Sequence, residues 1–232
     1  MPFKTITPIA LVTIGALLVS FGTTFAQLEF SGDVTLVSTY IWRGIKQYNG
    51  PALQGTAGAG CGSLSFGLWY SSVNFGDDTE VETDPFIEIA LPTGSISTSI
   101  GATVYSYDFF ETFNDKADYE YEVFGKIGFG SIGLAAYYVP GQKSTEDNLN
   151  DSDYWVEISA QTAALGADLG LTAAYGTYSS KWLAKPKEEA VGHLQLSAGK
   201  NISESLSVGW NYSIALDDGM DNLFFGSLSI TF

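Results

Sequence analysis

The sequence predicts an all-β protein: a transmembrane up-and-down antiparallel β-barrel of about twelve strands, preceded by a cleaved signal peptide. Three observations lead to this prediction: an export signal at the start, strand-period alternation through the rest of the chain, and connections that are alternately short and long. The composition agrees, because the 232 residues combine a net charge of −16 with 45% hydrophobic and 14% aromatic residues. A chain this acidic is not a general nucleic-acid binder, and a chain this aromatic is not disordered.

Residues 1–26 have the pattern of a secretory signal peptide. Lys4 precedes an apolar run from Ile9 to Phe21, and small residues close the segment at Ala26. The apolar run is too short for a helix that spans a membrane. The next residue is Gln27 and not Cys, which argues against a lipid anchor. We therefore expect a signal peptide at 1–26, a barrel at 27–232, and export to the bacterial outer membrane.

Period-two alternation then predicts the strands in order. It is clearest at the end of the chain, where apolar residues at even positions alternate with Ser, Gly, Asn and Thr at odd ones, as a strand with one apolar face requires. Twelve strands result, with ten as the alternative because the second is rich in Gly and Ala. They cover residues 32–43, 51–60, 63–73, 84–92, 95–107, 118–128, 131–140, 153–163, 167–178, 190–199, 205–214 and 224–232.

The connections between these strands indicate a membrane barrel. Short links of turn-forming residues alternate with long polar ones, which places both termini and the short turns in the periplasm and the long loops outside. A soluble β-sandwich is the alternative. Aromatic residues near strand ends favour the barrel, because they match the girdles at membrane interfaces. They are Tyr40, Trp42, Tyr70, Tyr119, Tyr138, Tyr154 and Tyr212.

Three patterns in the first half of the chain carry a family resemblance. Residues 38–45 read STYIWRGI and precede PALQG at 51–55; residues 67–74 read GLWYSSVN and precede an acidic strand around Glu88; YSY at 105–107 is followed by YEYE at 119–122. Together they resemble the TorF-like porin family of Gram-negative bacteria. The resemblance implies a small outer-membrane barrel with no defined substrate. Ile45 replaces the family's hydroxylic residue after the Arg-Gly pair, so the contacts of the first loop are expected to differ.

Alternation also assigns residues to the barrel interior. A basic residue on the lipid face costs about 2–4 kcal/mol near the midplane and an acidic one less, so charged strand residues are expected to face inward. Arg43, at the predicted end of the first strand, is expected to reach them from the rim. The predicted pore-lining residues are Arg43, Trp69, Glu88, Tyr105, Glu120, Glu122, Lys126, Glu157, His193 and Gln195, and Tyr107, Phe124, Tyr137 and Trp155 share the inward parity.

Two interpretations of this interior remain open. In the first, the lumen is a channel for passive, modestly cation-preferring diffusion of small solutes. In the second, Arg43 and Lys126 neutralise Glu120, Glu122 and Glu157 in a packed plug, and the barrel is a non-conducting structural or interaction protein. Small barrels are filled and large ones are open, and twelve strands lie between these cases.

Many acids lie in or beside the long links and predict an anionic extracellular rim. This rim is either a solvated surface or a divalent-cation site; no metal or other cofactor is predicted. Lipopolysaccharide phosphates are the expected partners of Lys181, Lys185 and Lys187, and outer-membrane assembly machinery is the expected partner of the C-terminal strand ending in Phe232. The rim residues are Asp77, Asp78, Glu80, Asp147, Asp151, Asp217 and Asp218.

The single histidine raises the alternative of an outer-membrane lipid hydrolase. Ser197 on the same strand is about 13 Å from His193, too far for proton transfer, whereas Ser207 on a neighbouring strand remains a candidate. Inward parity is wrong for attack on a bilayer lipid. The sequence therefore predicts no catalytic residue and no enzyme activity.

Overall fold

A computed structural model describes residues 27–73, 80–106, 119–140, 152–177, 191–217 and 221–232. The predicted signal peptide lies outside these ranges and stays a prediction. The described residues form fourteen β-strands. They are β1 Leu28–Val37, β2 Tyr40–Trp42, β3 Ile45–Tyr48, β4 Ala52–Cys61, β5 Leu64–Val73, β6 Glu80–Leu91, β7 Ser97–Ser106, β8 Tyr119–Phe129, β9 Ile132–Val139, β10 Asp153–Ala164, β11 Ala167–Gly176, β12 Val191–Asn201, β13 Leu206–Ala215 and β14 Leu223–Thr231.

Twelve of these strands form a closed antiparallel barrel, which confirms the predicted fold class and excludes ten strands. β4 to β14 pair in chain order, and β1 closes the sheet by pairing with both β4 and β14. At the seam the backbones of Gly32 and Phe232 exchange two hydrogen bonds of 3.0 Å. Closure leaves no unpaired sheet edge, as a membrane-spanning β structure requires.

The first predicted strand, 32–43, is wrong in extent. β1 ends at Val37, and β2 and β3 form a separate two-stranded sheet, the inner hairpin (residues 40–48). Val37 of β1 pairs directly with Ala52 of β4, so the wall is complete without the hairpin. The apparent length of the first strand came from alternation that continues, after a break at 38–39, into β2.

Tight connections occupy one end of the barrel, the turn end. Gly62, Gly94, Gly130 and Gly166 all have positive φ there, the region that glycine enters without steric cost. The longer connections at the opposite, loop end are mostly outside the described residues. This arrangement agrees with the predicted alternation of short and long links.

The outer surface is apolar across its middle and aromatic at both ends. Ile87, Ile100, Val123 and Ile158 are 44–51% exposed there. Most outward phenylalanines lie near the turn end, whereas Phe224 and the outward tyrosines lie near the loop end, as in the aromatic belts of membrane barrels. The tyrosines are Tyr70, Tyr121, Tyr138, Tyr154, Tyr175 and Tyr212. No helix among the described residues is long and apolar enough to cross a membrane.

Two aromatic residues predicted for this girdle lie elsewhere. Tyr40 is 5% exposed and belongs, with Trp42, to the inner hairpin. Their predicted place in the girdle is therefore wrong, because the chain leaves the wall at residue 38. The side chain of Tyr119, also predicted for the girdle, is outside the described residues.

Candidate functional site

The inner hairpin lies inside the barrel and defines the site. Its two strands pair from Tyr40 opposite Tyr48 to Trp42 opposite Ile45, so only Arg43 and Gly44 form the loop. Both loop residues have positive φ, 49° and 77°, as a type I′ turn requires. Asn or Gly usually takes the first of these positions, and an arginine there is strained. Contacts of the Arg43 side chain must offset that strain.

Two apolar clusters hold the hairpin across the lumen. The first joins Tyr40 to Val37, Ala52 and Val73 of β1, β4 and β5, with the Trp69 ring 5.7 Å from that of Tyr40. The second, on the facing wall, contains Trp155 and Ala174 of β10 and β11, with Ile45 of β3 packed against it. Trp42 packs against both clusters. The hairpin therefore bridges opposite walls in the loop-end half of the lumen.

The Arg43 side chain is enclosed by wall residues that we call the cage: Tyr105, Glu122, Tyr137 and Trp155. Its Nη2 donates to Glu122 Oε2 at 2.7 Å, and the two side chains are 9% and 2% exposed. The Cζ atom lies 4.5 Å from the ring centroid of Tyr137 and 5.6 Å from that of Trp155. Tyr105 Oη donates to the other carboxylate oxygen at 3.0 Å. A buried charge with these partners is stabilised, whereas either charge alone would be costly.

Gly44 lies close against the wall at His193. A Cβ atom at this position would lie 2.7 Å from His193 Nδ1. The His193 ring is 3% exposed and stacks on Trp155, with 5.6 Å between centroids and 24° between planes. Only glycine satisfies both this contact and the positive φ.

A second charged pair lies closer to the turn end and is open to solvent. Lys126 Nζ is 2.9 Å from Glu88 Oε2, and the two side chains are 42% and 28% exposed. Ser99 Oγ donates to Glu88 Oε1 at 2.5 Å, and Lys126 Nζ lies 4.4 Å from the Phe124 ring centroid. Exposed pairs of this kind contribute little stability. The charges here are instead available to a solute.

Two adjacent cavities follow the lumen past these pairs. One of about 520 Å³ lies beside the hairpin, and one of about 650 Å³ extends to the turn end. Glu88, Lys126 and Glu157 line both, so the two spaces adjoin. Four carboxylates and two basic groups line the first cavity: Asp84, Glu88, Glu122, Glu157, Arg43 and Lys126.

The structure brings most of the sequence-predicted pore residues together. Trp69, Glu88, Tyr105, Glu122, Lys126 and Glu157 line the first cavity. Glu120 shares the face of Glu122, and His193 and Gln195 lie on the inward face of β12. Glu157 accepts a hydrogen bond from Trp155 Nε1 at 2.8 Å, and Gln195 donates to Asn211 at 3.2 Å.

Two details of the predicted interior are wrong. Arg43 does not end the first strand at the rim. It lies in the loop of the inner hairpin, so its side chain is inside the barrel. Lys126 pairs with Glu88 and not with Glu120, Glu122 or Glu157, because Glu88 on β6 faces it across β7.

Sequence reasoning missed two members of this site. Trp42 was assigned to the girdle and Gly44 was given no role. A local signal for a hairpin was present, since Tyr40 and Trp42 precede Arg43–Gly44 and Ile45 and Tyr48 follow it, as in a tight hairpin. Its position inside the barrel had no local signal.

Most of the predicted anionic rim lies outside the described residues. This holds for Asp77, Asp78, Asp147, Asp151 and Asp218, for the side chain of Glu80, and for Tyr107 and the three lysines 181, 185 and 187. Asp217 is described, and its Oδ2 accepts a hydrogen bond of 2.6 Å from Gly192 N. Within the described ranges no group of three or more His, Cys, Asp or Glu residues could hold a metal ion.

The geometry does not support the predicted Ser207 partner for His193. His193 pairs with Ala215, whereas Ser207 pairs with Asn201, near the turn end of the same two strands. Eight residues separate Ser207 from Ala215, which is about 26 Å along a strand. Ser213 is nearer, yet neither its Oγ nor His193 Nδ1 has a hydrogen-bond partner. In the part of the chain that the structure describes, His193 and Ser213 are therefore not joined by the hydrogen bond that a nucleophile and its base share.

Comparison with known proteins agrees with the barrel fold. Residues 23–218 match the family described as "Bacterial protein of unknown function (Gcw_chp)", and no curated protein matches the sequence. The NanC porin is 10% identical with a TM-score of 0.55, over 86% of this chain and 97% of that chain. An outer-membrane channel from Pseudomonas putida F1 is 12% identical with a TM-score of 0.50, over 90% and 98% of the two chains.

At these identities the structural likeness shows the fold alone, and the resemblance to the TorF-like porin family stays a prediction. The family match is more specific, because it extends from residue 23 to residue 218 and so includes the inner hairpin and every strand that contributes to the cage. The chain therefore belongs to the Gcw_chp family of bacterial proteins.

Proposed function

We propose that this protein is a bacterial outer-membrane channel for passive diffusion of small solutes, with a modest preference for cations. The observation that carries the proposal is the pair of adjoining cavities along the lumen, lined by solvent-exposed charges. Their excess of carboxylates over basic groups attracts cations and repels anions. The inner hairpin forms the constriction, and the loop end faces outside the cell.

A second candidate function is a non-conducting structural or interaction barrel. The buried Arg43–Glu122 pair and the hairpin across the lumen favour it, because they fill space through which a solute would pass. Planar-bilayer recording under a salt gradient separates the two candidates. Discrete conductance with a reversal potential on the cation side supports the channel. No conductance from folded, heat-modifiable protein supports the non-conducting barrel.

Charge at Glu88 is expected to set part of the selectivity. Glu88→Gln leaves the Lys126 ammonium without its carboxylate partner, so the cation-to-anion permeability ratio should fall by about twofold or more. Gln195→Glu adds a carboxylate of the same shape to the inner wall and should raise the ratio. Reversal potentials measure both changes. Equal ratios in the two variants would show that these side chains do not face the conducting path.

The C-terminal residue is expected to serve assembly. Phe232 is 75% exposed on the outer surface, at the seam where β1 meets β14. We propose that the assembly machinery recognises this end, so Phe232→Ser should lower the amount of folded protein in the outer membrane. Phe129→Ser is the control, because Phe129 is 65% exposed at the same end of the barrel. An equal loss in both variants would indicate lost lipid contact and not lost recognition.

A further inference from the structure

The surroundings of Arg43 have the composition of a site for organic cations. Tyr137 and Trp155 face the guanidinium, Glu122 supplies the counter-charge, and the Tyr105 hydroxyl orients that carboxylate. Aromatic faces around a carboxylate bind guanidinium and alkylammonium groups. These four wall residues come from β7, β8, β9 and β10, so the barrel supplies the cage independently of the hairpin that carries Arg43.

Arg43 reaches this cage only through a strained backbone. Its φ of 49° is unfavourable for a residue with a Cβ atom. The hairpin therefore holds the guanidinium in the cage although the backbone of Arg43 is strained. In this respect Arg43 resembles a tethered ligand. Tyr105, Glu122 and Tyr137 also line the 520 Å³ cavity, so a solute in the lumen contacts the same surface.

We infer that the cage is a binding site for organic cations of the guanidinium and alkylammonium class, filled here by Arg43 as an internal ligand that a permeating cation displaces. The inference rests on the proposed function, since a solute reaches the cage only through the lumen. A tethered group competes at a millimolar effective concentration. The wild-type protein is therefore expected to bind such cations weakly. Weak binding lets a permeating cation leave the site again.

Removing the internal ligand tests this directly. In purified, folded Arg43→Ala protein, methylguanidinium should bind at least about tenfold more tightly than in the wild type, because the tethered competitor is absent. Tryptophan fluorescence reports binding, since Trp155 is a wall of the cage. N-methylurea has nearly the same shape without the charge and should not bind. Equal binding of the cation and the urea, or equal affinity in Arg43→Ala and wild type, would overturn the inference.

Two isosteric variants in the Arg43→Ala background locate the site. Adding Glu122→Gln should abolish methylguanidinium binding, whereas adding Asp168→Asn should leave it unchanged, although each removes one carboxylate from the inward face. Asp168 lies on β11 near the turn end and lines neither cavity. If the two added substitutions weaken binding equally, the effect is one of general charge, and the inference that the cage binds the cation is overturned. If Arg43→Ala does not give the heat-modifiable folded form, Arg43→Gln keeps most of the side-chain volume without the charge, and the same comparison is made in that background.

Bilayer recording separates this inference from the proposed function. Binding by fluorescence without any conductance would refute the channel and keep the cation site. Conductance that methylguanidinium does not reduce in Arg43→Ala, together with absent binding, would refute the site and keep the channel.

Discussion

Deleting the inner hairpin is expected to raise the unit conductance by at least about threefold, because the lumen of a twelve-stranded barrel then contains only its wall side chains. The variant replaces residues 39–50 with Asn-Gly. Ser38 is retained, since its backbone and hydroxyl hydrogen-bond to the Gly226 backbone at the seam. Val37 and Ala52 already pair, and a short turn suits strands at this separation. Single-channel recording in planar bilayers measures the change.

A matched control tests whether the new turn itself alters conductance. Leu165–Gly166 forms a two-residue turn at the turn end with positive φ at both residues, and Asn-Gly can replace it there. That variant should conduct like the wild type. If the hairpin deletion folds to the heat-modifiable form and its conductance is unchanged, the hairpin is not the constriction.

Substituting Gly44 is expected to displace the hairpin tip without unfolding the barrel. In Gly44→Val the new Cβ would lie 2.7 Å from His193 Nδ1 on a backbone with φ of 77°. Strain at one such residue costs about 1–3 kcal/mol, which is enough to shift a docked segment toward the undocked state by about 5- to 150-fold. Open-channel conductance should rise toward that of the hairpin deletion, with fluctuations as the tip docks and leaves.

Gly166→Val separates backbone strain from the contact with His193. Gly166 has a similar φ of 73°, yet nothing lies within 4 Å of its Cβ position. This variant should keep wild-type conductance. The double variant Gly44→Ala with His193→Ala removes the opposing ring and should recover part of the docking lost in Gly44→Ala, as coupled neighbours do in a double-mutant cycle. Additive effects would show that the tip does not rest on His193.

The same contacts explain why an arginine occupies a turn position that favours Asn or Gly. The ion pair with Glu122 and the rings of Trp42, Tyr137 and Trp155 are available only to a long planar cation at this point. Lysine has no planar fork and pairs with one oxygen at a time. The turn is therefore stabilised by contacts with residues distant in sequence. These contacts offset the unfavourable backbone conformation of an arginine at this position.

Most strands of the barrel wall could be predicted from the sequence. The successive strands from β4 to β14 were predicted to within a few residues, because a strand with one face to lipid must alternate apolar and small polar residues. Parity alone placed Glu88, Glu122 and Lys126 on one side of the wall, since a charge on the lipid face is costly. The glycines at the turn end marked the tight connections, because positive φ is inexpensive only for glycine.

The position of the inner hairpin inside the barrel could not be predicted from the sequence. Its alternation continues that of β1, so Tyr40 and Trp42 matched a longer strand and a girdle equally well. Its docking depends on Trp42, Arg43 and Gly44 meeting residues 105–193, and such distant contacts leave no periodic signal. The sequence by itself determined a closed barrel with an apolar outside and a charged inside, because period two fixes which side each residue faces. Only the tertiary structure decided that Arg43 fills an aromatic cage in the lumen, because the position of a loop inside a barrel follows from packing against walls made by distant strands.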